Sequence, residues 1–509
     1  MSFERSAYGA LVLTLALSLA SALPGSADST GRKGKAIPER PEQLSFPTLD
    51  FEIPQGDRYR HSIAGSTPAY VVEDHSLPLV NISVRIRSGS YLDPADKPGL
   101  AFLTSSLVRR GGTASKKAED FDEEVEFLAA NIGTASSNSH SQAFASCITQ
   151  ALDSCLELFF EMLREPRFQL SRLEVEKARL LEGLKQRNDD AGDILDREWD
   201  WLLLGEDYFV ARKPTADQLT SIQPADLRDF HRRSWRPEGM VFTVSGDIDT
   251  KEILAKLEHY LSQWPEVAAD LPAWPPSLPT KKPQPGLYYV DKDIPQGKVY
   301  IGHLMPQVTD WDNPDLAPLR VMNEILGAGG FSSRIVQRIR SDEGLAYSAG
   351  TNYSIEPLWP GSFFVSYQSK SSTVALAAKI ALEEIDRIQR EPVSPSELET
   401  AKNSLIQTFP RRFESANQIA STFAFDQYLG RSHDYWHKWR GQMAKITAAD
   451  VQRVAQKYLD PSQFLMLVVG KWDDIAPGDK DARATMKEFF DGKGQPLPIR
   501  DPLTLQPQP

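Results

Sequence analysis

Hydrophobic positions change their spacing along this chain in a way that separates strands from helices. In Val80-Asn-Ile-Ser-Val-Arg-Ile86 and Val299-Tyr-Ile-Gly-His303, apolar residues alternate with polar ones, the period of a half-buried strand. Residues 151–163 and 374–388 space them three to four apart instead, which predicts helices. A third pattern opens the chain. After Arg5, the run Ala10-Leu-Val-Leu-Thr-Leu-Ala-Leu-Ser-Leu-Ala20 is almost wholly apolar. That length suits the core of an export signal and is too short to span a bilayer. Small residues offer cleavage after Ala22 or after Ala27, so residues 1–27 read as a signal peptide, with a buried N-terminal helix as the alternative. No later apolar run approaches ~18 residues. Stable membrane insertion is therefore not expected, and the expected location is the periplasm or the exterior.

Proline then divides what remains. Residues 28–60 are polar and charge-balanced, an extended arm, and residues 491–509 form a Pro-rich tail. Leu271 to Gly286 carries too many prolines for a helix or a central strand and reads as a linker. It leaves two comparable parts, 61–270 and 287–490, and these parts match each other. Ile222-Gln-Pro-Ala-Asp-Leu-Arg-Asp-Phe-His231, with Pro237 and Val244-Ser-Gly246, aligns without a gap to Ile446-Thr-Ala-Ala-Asp-Val-Gln-Arg-Val-Ala455, with Pro461 and Val468-Val-Gly470. Arg164-Glu-Pro166 likewise recurs as Arg390-Glu-Pro392. The expected fold class is α+β: two homologous mixed domains, an internal duplication related by a pseudo-twofold. At 509 residues, more than one domain is also what length requires. The net charge of -12 argues against nucleic acid as a partner. Two cysteines exclude a thiolate zinc cluster and a disulfide scaffold. Cys147 and Cys155, on a strand and the helix after it, form either one bridge or two buried thiols.

The segment Ser88-Gly-Ser-Tyr-Leu-Asp-Pro-Ala-Asp-Lys-Pro-Gly-Leu-Ala101 resembles the strand-and-turn before the zinc helix of pitrilysin/insulinase-type metallopeptidases, the inverzincins, among them the processing peptidases. Their motif is H-x-x-E-H, with a further Glu about 75 residues later. Such a centre needs imidazoles and a carboxylate for the metal and a Glu to take a proton from bound water. In this chain Phe102 and Ser106 stand where the resemblance implies the two His ligands, and Ser105 stands where it implies the base. The third-ligand position falls on Glu182, a relic, and Gln407 occupies its counterpart in the second half. No metal or other cofactor is expected in this chain. His433-Asp-Tyr-Trp-His437 places two imidazoles on one helical face but lacks further ligands, and no G-x-S-x-G elbow surrounds Ser105-Ser106.

The second half keeps something else. Gly327-Ala-Gly329-Gly330-Phe-Ser-Ser-Arg334, followed by Arg340 and Gly344-Leu-Ala-Tyr347, is similar to the family's glycine-rich stretch and the turn beyond it. The resemblance implies that Arg340 and Tyr347 are catalytic, stabilising charge on a carbonyl oxygen, and that Gly327, Gly329 and Gly330 let a peptide approach. Two readings follow. In the first, the chain is the non-zinc subunit of an exported heterodimeric peptidase acting on a peptide or unfolded protein. A homologous partner with an intact motif then carries the zinc. In the second, it is an inactive peptidase-like scaffold or peptide-binding assembly protein. Retention of the Arg/Tyr pair favours the first.

Overall fold

The computed structural model describes residues 51–508, apart from 266, 268–269 and 275–277. The expected signal peptide and the first part of the arm lie outside the described residues. The alternating stretch of the first half folds as β3 of a six-stranded sheet: β1 (Arg60–Ile63), β2 (Thr67–Glu73), β3 (Leu79–Ile86), β4 (Asn131–Ser136), β5 (Ser141–Ile148) and β6 (Met240–Gly246), in the order β1-β2-β6-β3-β5-β4. Val80, Ile82, Val84 and Ile86 are buried on one face of β3, while Asn81, Ser83 and Arg85 point to the other, as a period of two requires. β6, buried at every position, pairs parallel with β2 and antiparallel with β3.

The second half repeats this plan with β7 (Gly286–Asp291), β8 (Gln296–Leu304), β9 (Ala346–Tyr353), β10 (Ser362–Lys370), β11 (Leu465–Gly470) and β12 (Gly494–Leu497), in the order β12-β7-β11-β8-β10-β9. The inner series β2-β6-β3-β5-β4 and β7-β11-β8-β10-β9 correspond strand for strand, including the one parallel pair in each. Only the outer strand differs. β1 turns back antiparallel onto β2, whereas β12 arrives from the C-terminus and runs parallel to β7. The helices expected at 151–163 and 374–388 form as Leu152–Arg164 and Val374–Arg390.

The halves are interlocked as well as joined. Helix Ala191–Leu204, from the first half of the sequence, packs Ile194, Trp199 and Leu203 with Val290, Leu467 and Val469 of the second sheet. Helix Ala416–Leu429, from the second half, returns the exchange by lying on β2 and β6, where the Tyr70 hydroxyl donates to Gln427. A cut in the linker therefore divides the sequence but not the packing.

Both ends of the described chain pack against the two halves. Residues 491–508 of the Pro-rich tail are packed, because β12 takes the open edge of β7. Pro496 is tolerated there because an edge strand leaves its N–H side unpaired. Beyond it, Leu503 packs against the first-half core and its carbonyl accepts from Ala216 N–H, while Arg500 pairs with Glu206. The end of the arm is likewise packed: Ile53 is buried in the second-half core, and Phe51 stacks on Phe413. Cys147 on β5 and Cys155 on the following helix are both buried, and their thiols are not bridged.

Candidate functional site

The helix that carries the altered motif, Leu100–Arg110, starts at Gly99 in the left-handed region. Asp93, one turn upstream, accepts from the N–H groups of Gly99 and Ala101 at 2.8 and 2.7 Å and so caps it. Burial pushes the Asp93 carboxyl up to about 7, against the opposing pull of those two N–H groups. On its other side the helix is tied to β4, the outer strand of its sheet. Ser105 Oγ donates to Ala135 O, and Thr134 Oγ1 donates to Ser105 O. Ser105, in the position of a general base, is thus spent on holding helix to strand.

Phe102, Ser105 and Ser106 line one cavity of about 480 Å³ together with Arg110, Glu176 and Arg179. The carboxylate that faces the motif helix is Glu176, not Glu182. Glu176 is buried, bonds Ser106, and pairs with Arg179 at 2.5 Å and Arg110 at 3.5 Å. Burial pushes its carboxyl up, but Arg179, Ser106 and Arg110 outweigh this and hold it below the ordinary carboxylate range. Glu182 has a 67% exposed side chain and, among the described residues, pairs only with Lys185, its neighbour one turn on. Six residues separate the two along helix Leu170–Lys185, about 240° around its axis, so they cannot face the same partner. Counting along the sequence led to the wrong carboxylate; helix phase selects the right one.

These residues do not fit zinc. Phe102 and Ser106 offer no imidazole, and Glu176 already has its positive counterpart in Arg179 and Arg110. Among the described residues, no three His, Cys, Asp or Glu side chains gather as a metal requires. The two imidazoles of the 433–437 segment also part company. His433 pairs with Asp57 and lies 3.5 Å from the Tyr70 hydroxyl, tying the halves together, while His437 is exposed.

On the second sheet, the glycine-rich stretch forms a π-helical turn over Glu324–Ala328 that packs on β9. Gly327 and Gly329 are closed off by the protein's own chain. A Cβ at Gly327 would sit 2.5 Å from Thr351 N, and one at Gly329 would sit 2.6 Å from Glu324 O. These two serve close packing rather than a peptide. Only Gly330, at φ +61°, has open space beside it. Arg340 leaves a second π-helical turn, Gln337–Asp342, and Tyr347 is the second residue of β9, the outer strand of its sheet. The Arg340 guanidinium lies 4.4 Å from the Phe331 ring centre and 4.5 Å from that of Tyr347. Phe331 and Tyr347 are 67% and 83% exposed. Neither Arg340 nor Tyr347 makes an ion pair or side-chain hydrogen bond among the described residues, so their polar groups face outward unused. Phe331 had no place in the sequence reading; its position directly after Gly330 was the available signal. The stack stands apart from the cavity at Ser106, which first-half residues alone line.

The duplicated sheets, the exchanged helices and a metal helix without ligands define the class: a two-domain peptidase-type fold with its zinc site replaced. Two family profiles agree, "Insulinase (Peptidase family M16)" over residues 70–197 and "Peptidase M16 inactive domain" over residues 221–405. The chain belongs to peptidase family M16. It is 26% identical over 412 residues to the "Non-peptidase homolog YmxG" of Helicobacter pylori, covering 79% of this chain and 91% of that protein. It is also 26% identical over 406 residues to an uncharacterized zinc protease of Mycobacterium leprae, covering 77% and 87%. Among solved structures, a peptidase M16 inactive domain from Pseudomonas fluorescens superposes with a TM-score of 0.73 at 20% identity, covering 81% of this chain and 97% of that one. The first half of the periplasmic protease PqqL from Escherichia coli gives 0.68 at 18% identity, covering 88% and 100%.

Proposed function

We propose that this chain is the non-zinc subunit of an exported, heterodimeric zinc metallopeptidase. A homologous partner with an intact H-x-x-E-H motif holds the metal. This chain supplies part of the substrate cavity and presents Arg340 and Tyr347 to the scissile carbonyl of a peptide or unfolded protein. The observation that carries the reading is the exposed Phe331–Arg340–Tyr347 stack, in which a guanidinium and a phenol are oriented yet make no ion pair or side-chain hydrogen bond among the described residues. A guanidinium left without a carboxylate is free to meet negative charge that develops on a carbonyl oxygen. Relatives support the division of labour. This chain matches all of the first half of PqqL as solved and covers 39% of that protease's full length, so PqqL carries a further part beyond the region matched here. PqqL is described as periplasmic, which agrees with cleavage of residues 1–27 on export.

The test is reconstitution. Alone, the purified chain hydrolyses no peptide above background and carries no stoichiometric zinc. Mixed with a zinc-motif sister chain, it raises chelator-sensitive hydrolysis well above that of the sister alone. One zinc per chain with activity in the isolated protein overturns the reading, and binding of the sister without any gain in activity leaves a scaffold.

A further inference from the structure

We propose that a second cavity, lined by Arg85, Arg320, Arg411 and Arg412, binds a small organic polyanion carrying phosphate or carboxylate groups. It lies where β3 of the first sheet meets the helices of the second half, and its volume of about 580 Å³ is that of an ordinary small-molecule site. Its floor is aromatic, with Trp436 and Trp439 buried beneath the guanidinium groups.

Charge decides the ligand class. None of the four arginines forms an ion pair with a carboxylate among the described residues. Arg85 bonds the His140 ring at 2.6 Å, Arg412 lies 4.3 Å over the Trp436 ring, and Arg320 bonds the Tyr353 hydroxyl. Asp426, the carboxylate whose charge acts on Arg412, is taken by Arg431 and the Trp436 indole. The other arginine-rich cavity behaves in the opposite way. There Arg109, Arg110, Arg172 and Arg179 are each paired with Asp122 or Glu176. In a chain with 69 acidic residues against 57 basic ones, carboxylates were available to neutralise the first cluster as they do the second. Four like charges around one open volume repel one another. Desolvation of its guanidinium, with the charges of Arg320 and Arg431 nearby, holds Arg412 below the ordinary guanidinium value although its side chain reaches the surface. A polyanion relieves that repulsion while several charge-assisted hydrogen bonds form.

Titration of the full chain with inorganic tripolyphosphate and, separately, with citrate tests the proposal. Calorimetry and tryptophan fluorescence are both read at about 0.15 M salt, where non-specific surface attraction is screened. Saturable 1:1 binding of either probe is expected, and its identity separates phosphate from carboxylate ligands. Arg320→Gln and Arg412→Gln should each weaken binding at least about tenfold, the size of one charge-assisted hydrogen bond. Arg179→Gln, in the paired cavity, should leave it unchanged. Arg411→Gln, at a position exposed like Arg412, provides a variant that folds if Arg320→Gln does not, and should weaken binding in the same direction. No saturable binding of either probe, equal affinity in the arginine variants, or binding of an acidic polypeptide alone overturns the proposal.

Discussion

Tyr347→Phe removes one oxygen atom from a side chain that is 83% exposed and whose hydroxyl has no hydrogen-bond partner among the described residues. No buried group is uncovered and no bond is lost, so stability should change by no more than about 0.5 kcal/mol. The subunit should melt at its wild-type temperature and bind its sister with wild-type affinity. Under the proposed shared site, the same atom would meet the carbonyl oxygen only as that oxygen becomes anionic. Removing a donor of this kind costs about 3–4 kcal/mol of transition-state stabilisation, a fall in kcat on the order of 10²–10³-fold with KM nearly unchanged. The contrast between a silent stability assay and a large kinetic loss is the content of the prediction. Arg340→Lys should follow it, because an ammonium cannot lie flat between the rings of Phe331 and Tyr347 or offer a planar donor pair. Phe331→Ala removes one of those two faces, worth about 0.5–1 kcal/mol of cation–π attraction at an exposed site. Phe331 is a positioning residue, so its loss should lower kcat less than Tyr347→Phe does, and Phe331→Leu should restore little because a leucine has no π face. Full activity of the Tyr347→Phe complex, with assembly intact, would refute the shared site.

Three other outcomes are expected. His231 is buried between Phe168 and Trp235, bonds the Leu163 carbonyl at 2.8 Å, and is pushed down by burial to about 4. A depressed folded value means stability present above pH ~6.5 and lost as the pH falls towards 4, by about 2–3 kcal/mol at pH 4.5. Asp93, raised to about 7, acts in the opposite sense over the same window, so the measurement is the difference in urea stability between wild type and His231→Gln at pH 7 and pH 4.5; equal differences at both would refute the assignment. Glu182→Gln should be silent in stability and in the reconstituted activity, whereas Glu176→Gln, which strips Arg179 and Arg110 of their carboxylate, should destabilise by about 1 kcal/mol in thermal or chemical unfolding. Cys147 and Cys155 should resist alkylation in the native protein and react as two thiols once it is unfolded; mass spectrometry showing a bridge instead would contradict the structure.

The parts of the fold legible in the sequence were those with a local period or a repeated phrase. Alternation marks β3 and β8 because each has one face in a core, and the match between Ile222 and Ile446 onward marks the duplication because equivalent helices and central strands need equivalent residues. The ligand loss at Phe102 and Ser106 was equally plain, since a motif is contiguous. What escaped depends on contacts distant in sequence. Nothing local says that helix Ala191–Leu204 lies on the other half's sheet, or that a Pro-containing end supplies β12. The choice between Glu176 and Glu182 turns on helix phase relative to a partner 70 residues away, which spacing alone cannot supply. The packing role of Gly327 and Gly329 likewise depends on Thr351 and on the turn's own backbone.

The replaced metal site shows how a catalytic centre can be lost while its architecture is kept. A buried carboxylate beside the motif helix is costly unless a positive charge stands near it. Where a zinc ion could neutralise such a group, Arg179 and Arg110 do so here, both from partly exposed positions where their own hydration is retained. Ser105 no longer needs to be ionisable and ties the helix to β4 instead. The helix, the cavity and the outer strand therefore persist without the metal, and the interlocked helices keep the second sheet in register with the first. The Phe331–Arg340–Tyr347 stack shares no residue with that cavity. On the proposed reading, that separation is what would let the two roles of a hydrolytic site be divided between chains, one holding the metal and the other presenting its donors.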